Sequence, residues 1–403
     1  MTKQYKQLDI RQTSVLIMGL MATGIGQSLV FAILAPLGRE VALSELQITS
    51  IIAVSALIFA LASPHWGRVS DRVGRKPIII TGLAGYTVGT VLFTSVLYAG
   101  LAGMMSGLLL YAVLMITRCS QSIIMSATGP ASTAYAADNS SPSMRTKTMA
   151  RLGTANSMGM ILGPAVSGAL ATFGLLAPLY FAAGLSALAG FVVWRMLPPT
   201  PKQDLTSRNP RKRLRFTDPR IRHYLAGAVG LFIGFSAIQQ TLGFLLQDKL
   251  SLSGIETAQL TGAALMISAL FTFNAQVTLM QRLRLRATQF LRLGLLSLLI
   301  GACIVAGSER FAVLAVGMAF MGNGLGLAMP AVAAGASLAV STEEQGAVAG
   351  MVSACPAMGF VVGPICAGAL YQIHGPLAAL FSAGVFLLVL VVLSLHDRHT
   401  HPR

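Results

Sequence analysis

The chain has 403 residues, 54% of them hydrophobic and only 10% charged, where a soluble chain would carry about a quarter charged. That deficit excludes a water-facing globular protein, and several charge-free runs reach the roughly 20 residues a helix needs to cross a bilayer. The formal charge of +16 collects in particular segments, which points away from nucleic-acid binding and toward the charge asymmetry of an all-α polytopic membrane protein.

Taken in order, the first predicted helix covers about Thr13–Leu37, after Lys3, Lys6 and Arg11. It is too long for a signal-peptide core and no small-residue cleavage site closes it, so it is read as retained. A short loop with Arg39, Glu40 and Glu45 leads to a second helix at about Leu46–His65. Next comes a charged turn, Trp66–Ile78, which holds Arg68, Asp71, Arg72, Arg75 and Lys76 between Gly67, Gly74 and Pro77. From Pro77 to Ala137 the only charge is Arg118, and basic segments flank both ends. The run therefore crosses an even number of times, and two helices fit, about Ile78–Tyr98 and Met104–Tyr135.

Asp138–Arg151 reads as a loop with Arg145, Lys147 and Arg151. Leu152–Trp194 splits near Gly174–Pro178 into a fifth and a sixth helix. Pro198–Arg222 holds eight basic residues and five prolines, a solvated linker at mid-chain. The second half repeats the plan, with helices at about His223–Gln247, Thr257–Met280, Ala287–Ala306, Phe311–Val340, Gln345–Gln372 and Leu377–Leu395. Of the 29 Lys and Arg residues, 25 fall on the termini and the even-numbered loops. That bias puts both termini and the linker in the cytoplasm. The predicted domains are residues 1–197, a linker at 198–222, and residues 223–403.

The string Gly159-Met-Ile-Leu-Gly163-Pro164-Ala-Val-Ser-Gly168-Ala-Leu170 returns 200 residues later as Gly359-Phe-Val-Val-Gly363-Pro364-Ile-Cys-Ala-Gly368-Ala-Leu370, and Pro130-Ala131 returns as Pro330-Ala331. An offset of six helices keeps the topology, so the halves are parallel repeats about an axis along the membrane normal, with a substrate site between them near the midplane.

Arg118 is the first candidate for chemistry. A charge at that depth costs at least ~2.5 kcal/mol on insertion scales and by default marks a pathway. Tyr111, Arg118 and Ser122 share one face by their spacing, with Gln121 adjacent. Gln27, Gln239, Gln240 and Asn323 are the other polar candidates for a substrate cavity. Small residues at Gly159, Gly163 and Gly168 allow close helix approach, and Pro164 bends the helix. No acid or His lies mid-membrane by these boundaries, so either Asp71, Asp138, Glu40 or Asp248 carries the proton, or the substrate does, or the protein is not proton-driven; an Arg118 without an acid partner favours an anionic or zwitterionic substrate such as a carboxylate siderophore. The four cysteines read as buried small hydrophobes. The tail His396, His399 and His401 has no partners for a metal, and neither metal nor cofactor is expected. An intramembrane enzyme would need a catalytic pair such as H-E-x-x-H, and an ATP-driven pump a G-x-x-x-x-G-K-[ST] loop; the sequence has neither.

Four motifs carry a resemblance. Gly67, Asp71, Arg72, Gly74, Arg75 and Lys76 fill the pattern G-x-x-x-D-R-x-G-R-K/R. Leu114-x-x-x-Arg118-x-x-Gln121 resembles L-x-x-x-R-x-x-Q-G, with Ser122 in place of Gly. Gly159-x-x-x-Gly163-Pro164-x-x-Ser167-Gly168 resembles G-x-x-x-G-P-x-x-G-G, with Ser167 departing. Ala35-Pro36-Leu37 closes the first helix in the same style. Together they resemble the major facilitator superfamily, the twelve-helix drug:proton antiporter group similar to tetracycline and multidrug exporters. The resemblance implies two six-helix bundles, a monomeric proton-coupled exporter of small molecules in a bacterial inner membrane, helices 1, 4, 7 and 10 around the cavity, Arg118 in proton coupling, and a cytoplasmic gate in which Asp71 and Asp138 share a charge network; an importer of the same fold is the alternative, against which the Gly159–Gly168 motif argues.

Overall fold

Inside a bilayer the backbone of such apolar runs can satisfy its hydrogen bonds only as helix or closed barrel. The computed structural model describes residues 9–140, 142–199, 214–283, 285–341 and 344–400, and apart from one short 3₁₀ turn and one π-turn its regular elements are α-helices. In order they are α1 (Ile10–Glu40), α2 (Glu45–Val73), α3 (Arg75–Leu101), α4 (Gly107–Met125), α5 (Thr128–Asp138), α6 (Pro142–Leu170), α7 (Ala177–Met196), α8 (Arg222–Leu250), α9 (Gly254–Asn274), α10 (Met280–Arg282), α11 (Ala287–Gly307), α12 (Phe311–Leu338), α13 (Gln345–Ile373) and α14 (Pro376–Thr400). Among the described residues eleven spans are long and apolar enough to cross a membrane, with α4 and α5 together making one and α9 to α10 another. α6 is the twelfth by position; at 29 residues it is long enough to cross, and its first turns carry the basic residues that lower its hydropathy.

The structure departs from the sequence reading at five places. The charged turn is helical: α2 continues through Val73 and α3 begins at Arg75, so only Gly74 interrupts. None of residues 68–73 breaks a helix, and Gly74 at φ 109° supplies the whole reversal in a conformation that favours glycine. The expected loop at 138–151 is also mostly helix, because α6 starts at Pro142, whose fixed φ suits a first helical position. The fourth predicted helix bends at Ser126–Ala127. The eighth carries a π-turn at Ala275–Leu279, where the Met280 N–H reaches back to the Ala275 carbonyl. The cysteines are all free thiols, but only Cys355 is buried and Cys303 faces outward from α11, since a lipid-facing surface asks for apolarity rather than burial. Of the basic residues read as the linker, Lys202, Arg208, Arg211, Lys212 and Arg213 lie outside the described residues, as do Arg284, Glu343 and His401.

The described residues divide into two units. One takes residues up to Leu43 and from Val54 to 199; the other takes Ser44–Ala53 and residues from 214 on. In the first, α1 packs on α6 and α7, and α3 packs on α4, α5 and α7. Its core includes Leu16, Leu20, Ile79, Leu83, Tyr135, Leu152 and Val193. In the second, α8 packs on α13 and α14, and α12 packs on α9 and α11.

The internal repeat is visible as matched packing. Ser28 Oγ on α1 donates to the Gly159 carbonyl on α6 at 3.3 Å, and Ser236 Oγ on α8 donates to the Gly359 carbonyl on α13 at 3.0 Å. A Cβ on Gly159 would lie 2.5 Å from the Met21 carbonyl oxygen, and one on Gly359 would lie 2.6 Å from the Phe232 carbonyl carbon. Backbone meets backbone at both places, the close approach that small residues at i and i+4 allow between membrane helices.

Candidate functional site

The elbow between α2 and α3 gathers its charges around one guanidinium. Arg75, only 4% exposed, is the first residue of α3. Its Nη1 lies 2.5 Å from Asp71 Oδ1, its Nε lies 2.9 Å from Asp138 Oδ2 at the end of α5, and Nη1 also donates to Ser70 Oγ at 2.7 Å. Asp71 is buried as well, at 6% exposed. One planar fork at the start of α3 thus holds two carboxylates, from the ends of α2 and α5, a geometry that the point charge of a lysine would not reproduce. Asp138 is 63 residues from Arg75, so only the fold brings it there. Arg72 is exposed and Lys76 half-buried, and neither joins these pairs. Gly67 has room around it, with Pro130 the neighbour a Cβ would touch. Nearby, the Trp66 indole N–H donates to the Ile123 carbonyl at 2.6 Å and ties α2 to α4.

Arg118 sits in α4 at 6% exposed. Among the described residues no carboxylate pairs with it. Its Nη1 donates to Gln121 Oε1 at 2.6 Å, and Gln121 Nε2 in turn donates to Thr90 Oγ1 at 2.6 Å and to the Tyr86 carbonyl at 3.3 Å on α3. The guanidinium carbon lies 5.7 Å from the centre of the Phe93 ring, within cation–π range. This assembly depends on Gly89, where a Cβ would come within 2.6 Å of the Gln121 side chain. Two buried polar atoms here make no hydrogen bond, Arg118 Nε and the Tyr86 hydroxyl. Ser122 is buried beside Gln121, while Tyr111 and Gln27 are half-buried.

In the second unit Gln239 and Gln240 are buried on α8, and the Gln239 Oε1 and Gln240 Nε2 atoms make no hydrogen bond. Asn323 on α12 reaches Ser297 Oγ on α11 at 3.5 Å. Asp248 accepts a hydrogen bond from the Tyr371 hydroxyl at 2.7 Å. Arg220 ties Asp218 (2.9 Å) to Glu344 (3.1 Å), just ahead of α13. Its hydrogen bonds hold both carboxyls below their ordinary range. Among the described residues no three His, Cys, Asp or Glu side chains group to hold a metal ion.

Gly159 and Gly163 lie on α6 where it meets α1, each with α1 backbone within 3 Å of where a Cβ would stand, so this part of the motif is a packing seam between backbones; Pro164 and Gly168 follow on the same helix. The residues missed by sequence reasoning are Ser70, Tyr86, Thr90 and Phe93. Tyr86, Thr90 and Phe93 lie at i, i+4 and i+7 of an otherwise apolar helix, a signal present in the sequence.

The family model described as Major Facilitator Superfamily matches residues 16–307 and 278–403. Over 384 residues the chain is 26% identical to Multidrug resistance protein 2 of Bacillus subtilis (strain 168), covering 93% of this chain and 92% of that protein. It is 28% identical over 375 residues to the class G tetracycline resistance protein of Vibrio anguillarum, covering 89% of each. Its fold is similar to the crystal structure of the human organic anion transporter MFSD10 (TETRAN), with a TM-score of 0.65 at 20% identity over 95% of this chain and 99% of that one.

Proposed function

The chain belongs to the Major Facilitator Superfamily, and from that premise we propose that it is a proton-coupled exporter of drugs or small metabolites. It works by alternating access in a bacterial inner membrane, as a monomer with both termini cytoplasmic. The observation that carries the reading is the buried Arg118. It is a permanent cation inside the first unit, oriented by Gln121 and Thr90, with a guanidinium nitrogen that has no protein partner. An intramembrane charge of this kind marks a transport pathway. Full-length likeness to two drug-resistance proteins supports export and drugs as cargo.

In this mechanism Arg118 and Gln121 face the transported species or the proton site, with Tyr111, Ser122 and Gln27 around them. Gln239 and Gln240 offer a carbonyl oxygen and an amide N–H that lack partners and can turn to cargo. Asn323, bonded to Ser297, orients its helix. The gate is the Arg75 hub. Its two ion pairs hold the elbow in one state and break in the other, the bistable element that a switching protein requires. A positive charge without a carboxylate also favours cargo that carries a carboxylate, which is the second reading.

The test is reconstitution in liposomes with a pH-sensitive dye inside and cationic or carboxylate-bearing candidates added. Proton flux elicited by cargo in the wild type and lost in Arg118→Ala supports the assignment. Flux unchanged in the variant removes Arg118 from the pathway, and the sign of the active cargo decides between the two readings.

A further inference from the structure

A groove of about 330 Å³ opens on the outside of the first unit between α3 and α7. Its floor is knitted shut: Ser186 Oγ donates to the Leu83 carbonyl at 3.0 Å and Thr87 Oγ1 to the Ala183 carbonyl at 3.4 Å. The polar atoms lining it are therefore already satisfied, and what remains is an apolar slot walled by Ile80, Val88, Phe191 and Trp194. Phe191 and Trp194 touch at 5.8 Å between ring centres, and Trp194 is 59% exposed.

Both walls end in a cation. Lys76 lies one helical turn before Ile80 on α3, and Arg195 one turn after Phe191 on α7, so each shares the face of a groove residue. α3 begins where α7 ends, and the two cations sit at the same mouth of the slot. Among the described residues no carboxylate pairs with either.

We infer that this groove binds an anionic phospholipid of the surrounding bilayer, with an acyl chain in the slot, the phosphate on Arg195 and Lys76, and the Trp194 ring at headgroup level. The occupant follows from charge complementarity. A dry apolar slot takes a hydrocarbon chain, two cations at its mouth take a phosphate, and basic pockets between membrane helices hold anionic headgroups. Tryptophan at the mouth is the usual interfacial anchor. Each cation is expected to enrich the anionic lipid about fivefold, the equivalent of ~1 kcal/mol.

The chain has two tryptophans, so a full-length Trp66→Phe variant, excited at the red edge where tyrosine does not absorb, reports on Trp194 alone. In vesicles of zwitterionic lipid, brominated phosphatidylglycerol at low mole fraction should quench Trp194 several-fold more than brominated phosphatidylcholine at the same fraction. Arg195→Gln should cut that preference about fivefold, and Ala187→Leu, which fills the slot from an exposed position, should abolish it with both cations intact. Equal quenching by the two lipids overturns the site. A preference that survives Ala187→Leu overturns the groove and leaves a surface charge only. A preference lost equally in Arg282→Gln, a cation of the other unit, overturns the local assignment.

Discussion

Replacing Gly159 by alanine adds one methyl group to α6 where it has no room. That carbon would stand 2.5 Å from the Met21 carbonyl oxygen and 2.9 Å from the Ile25 nitrogen. The first distance is almost an ångström short of ordinary contact at 3.4 Å, and both neighbours are α1 backbone rather than flexible side-chain ends. No rotamer can relieve the clash, so α1 and α6 must part and the Ser28–Gly159 hydrogen bond stretches. Overpacking of this kind costs ~1–3 kcal/mol. A methyl group added at Gly153, on the same helix, would meet nothing within 4 Å, and alanine there gains up to ~1 kcal/mol of helix propensity. The assay is the midpoint of heat-induced loss of monodisperse protein in detergent, with cargo flux in liposomes alongside. Gly159→Ala should melt earlier and transport less, Gly153→Ala should melt at or above the wild type, and Gly359→Ala should follow Gly159→Ala. A Gly159→Ala protein that matches Gly153→Ala in both readouts would refute the backbone seam.

The other expectations concern the charges. Arg75→Ala removes the guanidinium that Asp71 and Asp138 share and should cost ~3–5 kcal/mol; Arg75→Lys should recover only part of the melting midpoint, since one ammonium cannot serve both carboxylates in the same geometry. Gln121→Leu should keep the fold but lower flux as Arg118 loses its orienting acceptor, and Thr90→Val should act in the same direction more weakly, read as initial rates in liposomes. Arg220 depresses Asp218 and Glu344 from ordinary values of 3.8 and 4.5. A depressed carboxylate contributes its stabilisation above the unfolded value and loses it as pH falls through the folded one. The Arg220 tie should therefore persist at neutral pH and release only in stronger acid, and Arg220→Gln should move both carboxylate titrations upward in difference infrared spectra.

The helices are legible in the sequence because length and apolarity are local properties, and the repeat is legible because Gly-Pro strings survive in the chain at a fixed offset. Arg118 and its neighbour Gln121 stand out because a lone charge in an apolar run is conspicuous. The links to Thr90 and Tyr86 are not legible, since a stretch of more than thirty residues separates partners that only helix packing joins. The same holds for Arg75 and Asp138, whose pairing in sequence rests on family resemblance and in space on a distance. The charged segment reads as a turn only if charge density is equated with solvation; its side chains are spaced for i,i+4 pairing, and Asp71 with Arg75 uses it. Gln239 and Gln240 are visible as polar residues, but that two of their atoms lack partners is a fact of packing alone.

At the Gly74 elbow a connection of one residue has no slack. With a loop of several residues, α2 could slide while α3 stood still. With a single peptide pair at φ 109° between Val73 and Arg75, any displacement of the end of α2 is delivered whole to the start of α3, like a crank on a shaft. The Arg75 ion pairs sit on that axle. In the gate proposed above they would act less as a glue than as a ratchet pawl, setting when the lever turns, while the glycine sets that both arms turn together.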